Sequence, residues 1–192
     1  MEPKDRVEAL VAGANAYAVG VSDAYDEVVE QVTARAAEVG SLGKLDIGAL
    51  TAWKRLRADT PWMGKLMSCP DREVRLHTEQ AVIAARDDSK PVPEAAAAAR
   101  TALTALPGFA HGDAIASAVC FAAAPLRLAV YDRRAHHGLH QLGLFLENRA
   151  GRYGRYLRLI EQCRQELADQ GHVWTARQVD IALYQLGQPT TT

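Results

Sequence analysis

Apolar residues recur at three- and four-residue spacing along nearly the whole chain, and no segment alternates apolar and polar positions over strand length. The pattern predicts a first helix from Pro3 to about Val19, and a second with Ser22 as its N-cap that ends near Gly40. "SLGKLDIG" (41–48) follows as a loop. "ALTAWKRLRA" (49–58) is a third helix that stops before "TPW", because the residue before a proline is pushed out of the α region. "CPDREVRLHTEQAVIAARDD" (69–88) predicts a fourth, with Pro70 in its first turn and acids near its start. After the breaker "SKPVP", an alanine-rich fifth helix runs from Glu94 to Leu106 and ends on Pro107-Gly108. A sixth spans about Asp113 to Ala124, and "LRLAVY" is a short extended link to Asp132, which opens a seventh. "GRYGRYLRLIEQCRQELADQG" is an eighth, and the last begins with a capping box of Thr175 and Gln178 and closes on Gly187. The expectation is an all-α chain of about eight or nine helices without internal repeats. It offers no strand–loop–helix of the kind a P-loop or dinucleotide fingerprint requires.

Composition narrows this only slightly. At 192 residues the chain is long enough for one domain with a real core, and its alanine content with three Phe and three Trp suits helices. The net charge of −1 conceals an uneven distribution. Residues 1–50 carry four basic and nine acidic groups, whereas residues 126–164 carry eight arginines against Asp132, Glu147 and Glu161. A neutral protein with a basic third can still hold a polyanion locally. Cys69, Cys120 and Cys163 are far apart and lack metal or redox spacing, so they read as buried thiols in a reducing compartment. No signal peptide is evident and no apolar run approaches the ~20 residues that cross a bilayer. The expected location is therefore the cytoplasm, with no membrane partner.

The candidate chemistry begins at "LPGFAHGDAIASAV" (106–119). A glycine turn between two helices, with the positive end of the second helix beside it, makes an anion site for one phosphate. Packing within an αα-hairpin accounts for the same residues equally simply. Twenty residues separate Gly112 from Asp132. Asp132, His136 and His140 fall on one helical face, but no fourth ligand accompanies them, and no metal is expected. The serines lack a nucleophile elbow.

"LPGFAHG", "DAIASAV" and "AAAPLRLAVYD", with "RYGRYLRLIEQCRQEL" and "VWTARQVDIALYQLG" beyond them, resemble the helix–hairpin–helix DNA glycosylase superfamily, in its oxoguanine-glycosylase-like form. The resemblance implies a multi-helix orthogonal bundle with a helix–hairpin–helix motif over residues 45–188. An acidic helical region, 1–44, would pack on it, and 189–192 would be a flexible tail. It implies a base-excision repair enzyme that acts on double-stranded DNA carrying a damaged base, with Asp132 as the catalytic carboxylate. Phosphates would be held by the hairpin (Gly108, Phe109, Ala110, His111 and Gly112) and by Arg127, Arg133, Arg134, Arg152 and Arg155. Trp53, Trp62 and Tyr131 would face the flipped base. The family's pattern allows a monovalent cation at the hairpin; its iron–sulfur cysteines are missing here.

The chain departs from that pattern in three places. Gly108 and Gly112 are four apart instead of two, and Asp132 is followed by "RRA". Ala114 stands where lyase-competent members carry lysine, so a monofunctional glycosylase is implied. Plainer roles exist for the same residues: Asp132 as an N-cap, the arginines as a solvated face, the aromatics as core and His111 as a surface loop residue. The alternatives are a non-catalytic DNA- or modified-nucleotide-binding protein of the same fold, or a helical interaction protein.

Overall fold

A computed structural model of the protein describes residues 1–189; of the tail expected over 189–192, residues 190–192 lie outside the described residues. Among the described residues there are ten α-helices and no strand. They are α1 (Pro3–Gly20), α2 (Glu27–Val39), α3 (Lys44–Trp53), α4 (Pro61–Ser68), α5 (Asp71–Arg86), α6 (Val92–Ala102), α7 (Ala114–Ala123), α8 (Arg133–Gln141), α9 (Arg152–Ala168) and α10 (Ala176–Leu186). The protein is an all-α bundle.

α7 occupies the centre. Its residues from Ile115 to Ala123 are all buried, because a helix apolar on every side can find apolar surroundings only in the middle of a bundle. Helices α2, α3, α5 and α6 pack around it, and α6 leans on α9. On the far side, α10 lies between α1 and α8. α8 and α10 approach to backbone contact at Gly138, where a Cβ would overlap the Leu183 carbonyl. That contact, with the approach of Gly187 to the Arg134 carbonyl, sets the start of α8, and so Asp132, against the C-terminal half of α10. Residues 1–44 pack on the bundle through α1 on α10 and α9 and α2 on α3 and α7. The partly buried Arg6–Glu166 pair ties α1 to α9.

Several boundaries differ from the sequence pattern. The expected loop 41–48 is already helical from Lys44, because Asp46 reaches back to accept the Gly43 N–H at 2.8 Å and caps the helix. The expected third helix ends early, at Trp53. Arg55 takes a left-handed conformation (φ 52°), and the N–H groups of Arg55 and Leu56 close on the carbonyls of Ala52 and Thr51. "TPW" does break the chain, yet Pro61 then starts α4, since a proline suits the first helical position. The alanine-rich helix stops at Ala102, short of Leu106, and the helix opened by Asp132 stops at Gln141, well before Ala150. The caps hold: Ser22 caps a short 3-10 turn (Asp23–Asp26) before α2, Gly40 is left-handed beyond α2, and Thr175 with Gln178 forms the capping box of α10. Cys120 and Cys163 are buried, and burial pushes both thiols up to about 12, whereas Cys69 is only half-buried.

Candidate functional site

Asp132 lies in an extended conformation just before α8, and its Oδ1 accepts the Arg134 N–H at 2.9 Å, so it is an N-cap. Its Oδ2 accepts from Lys54 Nζ, also at 2.9 Å. Lys54 closes α3, and its ammonium bonds the Tyr131 carbonyl as well, with its side chain only 9 % exposed. Burial by itself would push the Asp132 carboxyl up. The Lys54 charge, with the Arg134 N–H and guanidinium, outweighs burial and holds it below the ordinary carboxylate range. The carboxylate stays ionised at neutral pH while 31 % of its side chain remains accessible.

That accessible part opens on a cleft of about 310 Å³. The end of α1 forms one wall through Tyr17 and Gly20 with Val21 just beyond; Tyr25, Trp53, Lys54 and Arg55 form a second; Asp132, Arg134, Arg177 and Tyr184 complete it. The floor is a buried charge network. Arg177 pairs with Asp180 at 2.7 Å and Asp26 at 3.4 Å, and its guanidinium lies 5.3 Å from the Trp53 ring centre. Asp180 also accepts the Val130 N–H at 3.3 Å. Burial drives the Asp180 carboxyl up against the opposing pull of Arg177, while the two carboxylates keep Arg177 firmly charged. At the mouth, Arg55 lies 5.3 Å over the Tyr25 ring and Arg134 lies 5.1 Å over the Tyr184 ring. The left-handed Arg55 backbone costs roughly 1–2 kcal/mol, and strain of this kind is stored where neighbouring structure over-determines it.

The hairpin does not line this cleft. Gly108 (φ 88°) and Gly112 (φ 79°) both occupy the region that favours glycine, but for different reasons. A Cβ at Gly108 would overlap the Trp62 ring, whereas one at Gly112 would meet nothing within 4 Å. Phe109 is fully buried, edge-on to Trp62 at 6.5 Å, and its N–H is spent on the Leu106 carbonyl. Gly108 and Phe109 are thus packing residues. Ala110, His111 and Gly112 line a separate groove of about 550 Å³, together with Arg100, Arg149 and Arg152. In that groove Asp113 bridges Arg100 and Arg152, both at 2.8 Å. Gly108, His111 and Gly112 also border a third hollow of about 260 Å³ beside Trp62.

The expected phosphate arginines therefore separate. Arg127 donates to the Ala85, Asp87 and Lys90 carbonyls and pins the α5–α6 turn, so it is structural. Arg155 is used on the carbonyls of Glu147, Arg149 and Ala150. Arg152 belongs to the hairpin groove, where it lies 4.6 Å over the Tyr131 ring and bonds Asn148. Arg134 belongs to the Asp132 cleft, and Arg133 beside it is exposed outside the lining.

Among the aromatic candidates, Trp53 borders the cleft but is 6 % exposed, with its ring stacked on Phe121 and its N–H bonded to Asp26. Trp62 packs on the hairpin, and Tyr131 is buried against Tyr156 with its hydroxyl at His136 Nδ1. The half-buried cleft aromatics are instead Tyr17, Tyr25 and Tyr184. No sequence motif marks them, or Lys54, Arg55 and Arg177. The only local signal is a Lys-Arg pair at the end of a helix that ought to have continued. Among the described residues, no group of three His, Cys, Asp or Glu side chains is placed to hold a metal ion, and no helix is long and apolar enough to cross a membrane.

No family model, curated protein or solved structure matches the chain.

Proposed function

We propose that the protein is a monofunctional DNA glycosylase acting in base-excision repair, which hydrolyses the N-glycosidic bond of a damaged base extruded into the Asp132 cleft. The observation that carries this reading is the ionised Asp132 carboxylate, fixed by Lys54 and the α8 N-terminus, at the edge of a cleft lined with tyrosines and arginines. Extrusion of the base costs a few kcal/mol of stacking, which aromatic walls can offset. As the bond to the base breaks, the base leaves with the electron pair and positive charge develops on the sugar. A carboxylate held in place stabilises that charge and takes the proton of the attacking water as the new C–O bond forms. Ala114 carries no amine, so the hairpin supplies no nucleophile for strand cleavage. The hairpin groove, with Arg100, Arg152 and the Ala110–Gly112 backbone, would hold the strand's phosphates.

A second reading, a binding module that recognises DNA or a modified nucleotide without cleaving it, draws on one feature. Both Asp132 oxygens already accept a donor from the protein. The two readings separate on Asp132→Asn. With duplexes carrying oxidised, deaminated or alkylated bases, followed by alkali, the wild type is expected to release a base and the variant to release none while still binding. Salt-dependent DNA binding without release by either protein would establish the binding module. Absence of binding at low salt would remove both.

A further inference from the structure

We propose that Arg55 and Arg134 form a phosphate clamp at the mouth of the Asp132 cleft, holding a nucleotide whose base lies among Tyr17, Tyr25 and Tyr184. The proposal rests on the reading of this cleft as a nucleotide site, and it adds the residues that select a phosphorylated ligand. Four cations and two carboxylates line the cleft, and most are already matched. Lys54 is bound to Asp132, and Arg177 is bound to Asp180 and Asp26. Among the described residues, neither Arg55 nor Arg134 has a carboxylate at ion-pair distance, and both are exposed. The uncompensated charge of the cleft is therefore positive and confined to its mouth.

The geometry of these two residues suits an anion. Each guanidinium lies over a tyrosine face, at 5.3 and 5.1 Å, which restrains the plane while leaving edge N–H groups for a ligand. Arg134 also bonds the Tyr184 hydroxyl. At the left-handed turn the two consecutive side chains part, Lys54 to Asp132 and Arg55 to the Tyr25 ring. Deeper in, Lys54 and Arg177 are already matched by Asp132, Asp180 and Asp26 and offer an anion no free charge. A ligand with one anionic end must then enter base-first, with its phosphate at the mouth and its sugar at the level of Asp132. The volume, about 310 Å³, lies at the small end of ligand clefts and suits one nucleotide unit. Such a unit can come from a free mononucleotide or from an extruded residue of a strand.

The test is a titration of intrinsic fluorescence with dGMP, deoxyguanosine and a short single-stranded oligonucleotide. A phosphorylated ligand is expected to bind at least roughly tenfold tighter than the nucleoside, as charge-assisted hydrogen bonds require. Arg55→Gly and Arg134→Ala should each lose roughly tenfold of that affinity, and the double variant should bind all ligands like deoxyguanosine. Arg55→Gly keeps the left-handed turn without strain, so lost binding there is not misfolding. Arg72→Ala, exposed at the start of α5 and outside the lining, should leave affinity unchanged. Clamp-dependent binding of dGMP assigns a free nucleotide, and clamp-dependent binding of the oligonucleotide alone assigns a strand. Equal affinity for dGMP and deoxyguanosine, with an oligonucleotide affinity indifferent to both arginines, would overturn the clamp. Clamp-dependent binding without base release from any lesion duplex keeps the clamp and removes excision. Release unaffected by either arginine does the reverse.

Discussion

The Asp132 cleft and the 106–113 hairpin sit on either side of α7, one after its C-terminal end and one before its start, and they are built on opposite plans. The cleft is assembled from four distant segments and held by matched charges: Lys54 on Asp132, and Arg177 on Asp180 and Asp26. The hairpin is local, and its shape comes from two left-handed glycines and a buried Phe109–Trp62 contact. Charged side chains need partners wherever the chain puts them below the surface, so the cleft's geometry is set by pairing. A glycine turn needs only space and the right φ, so the hairpin's geometry is set by sterics. Being twenty residues apart made them candidates for one site; the bundle gives them separate cavities.

The strongest challenge to this contrast is removal of a matched charge. Arg177→Met leaves Asp180 buried without its cation, and the expected loss of stability is about 3–5 kcal/mol, read from urea unfolding. Adding Asp180→Leu should recover part of that loss; a double variant as unstable as the single one would mean that packing and not pairing builds the floor. Next in size is the hairpin. Gly108→Ala meets both an unfavourable φ and the Trp62 ring and should lose about 2–4 kcal/mol. Gly112→Ala meets only the unfavourable φ and should lose about 1–2 kcal/mol. If Gly112→Ala instead folds well and abolishes DNA binding, the second glycine serves a phosphate and the steric account of the hairpin fails.

The smallest effect sharpens the cleft's rim. Lys54 helps hold the Asp132 carboxyl below its ordinary range, so the stability gained from that ionisation is present above the range and lost as pH falls through the depressed value. Lys54→Met should therefore lose stability at neutral pH and approach the wild type in acid. In the variant, the Asp132 carboxyl should titrate at higher pH by carbon-13 NMR. A stability deficit that is equal at neutral and acid pH would show that Lys54 acts through its bond to the Tyr131 carbonyl alone.

Much of the fold was legible because helices announce themselves locally. Ser22, Gly40, Thr175 and Gln178 do in the structure what their types suggest. What misled was local as well. Asp46 capped a helix from inside an apparent loop, Pro61 opened a helix where it seemed only to close one, and Arg55 ended a helix in a conformation normally signalled by glycine. Of the residues that line the cleft, the sequence singled out Asp132, Arg134 and Trp53. Lys54, the partner of Asp132, is seventy-eight positions away from it, and Tyr17, Tyr25 and Tyr184 come from both ends of the chain.

By itself the sequence determined the class of structure and the helix-capping position of Asp132, since periodicity and capping depend on neighbours a turn or two away. Only the tertiary structure decided that Asp132 meets Lys54, that the arginines divide among a turn, a groove and a cleft, and that Gly108 faces Trp62. Those outcomes depend on which helices lie side by side. A close backbone contact such as α8 on α10 at Gly138 sets them, because it fixes where the charged side chains of each helix must find their partners.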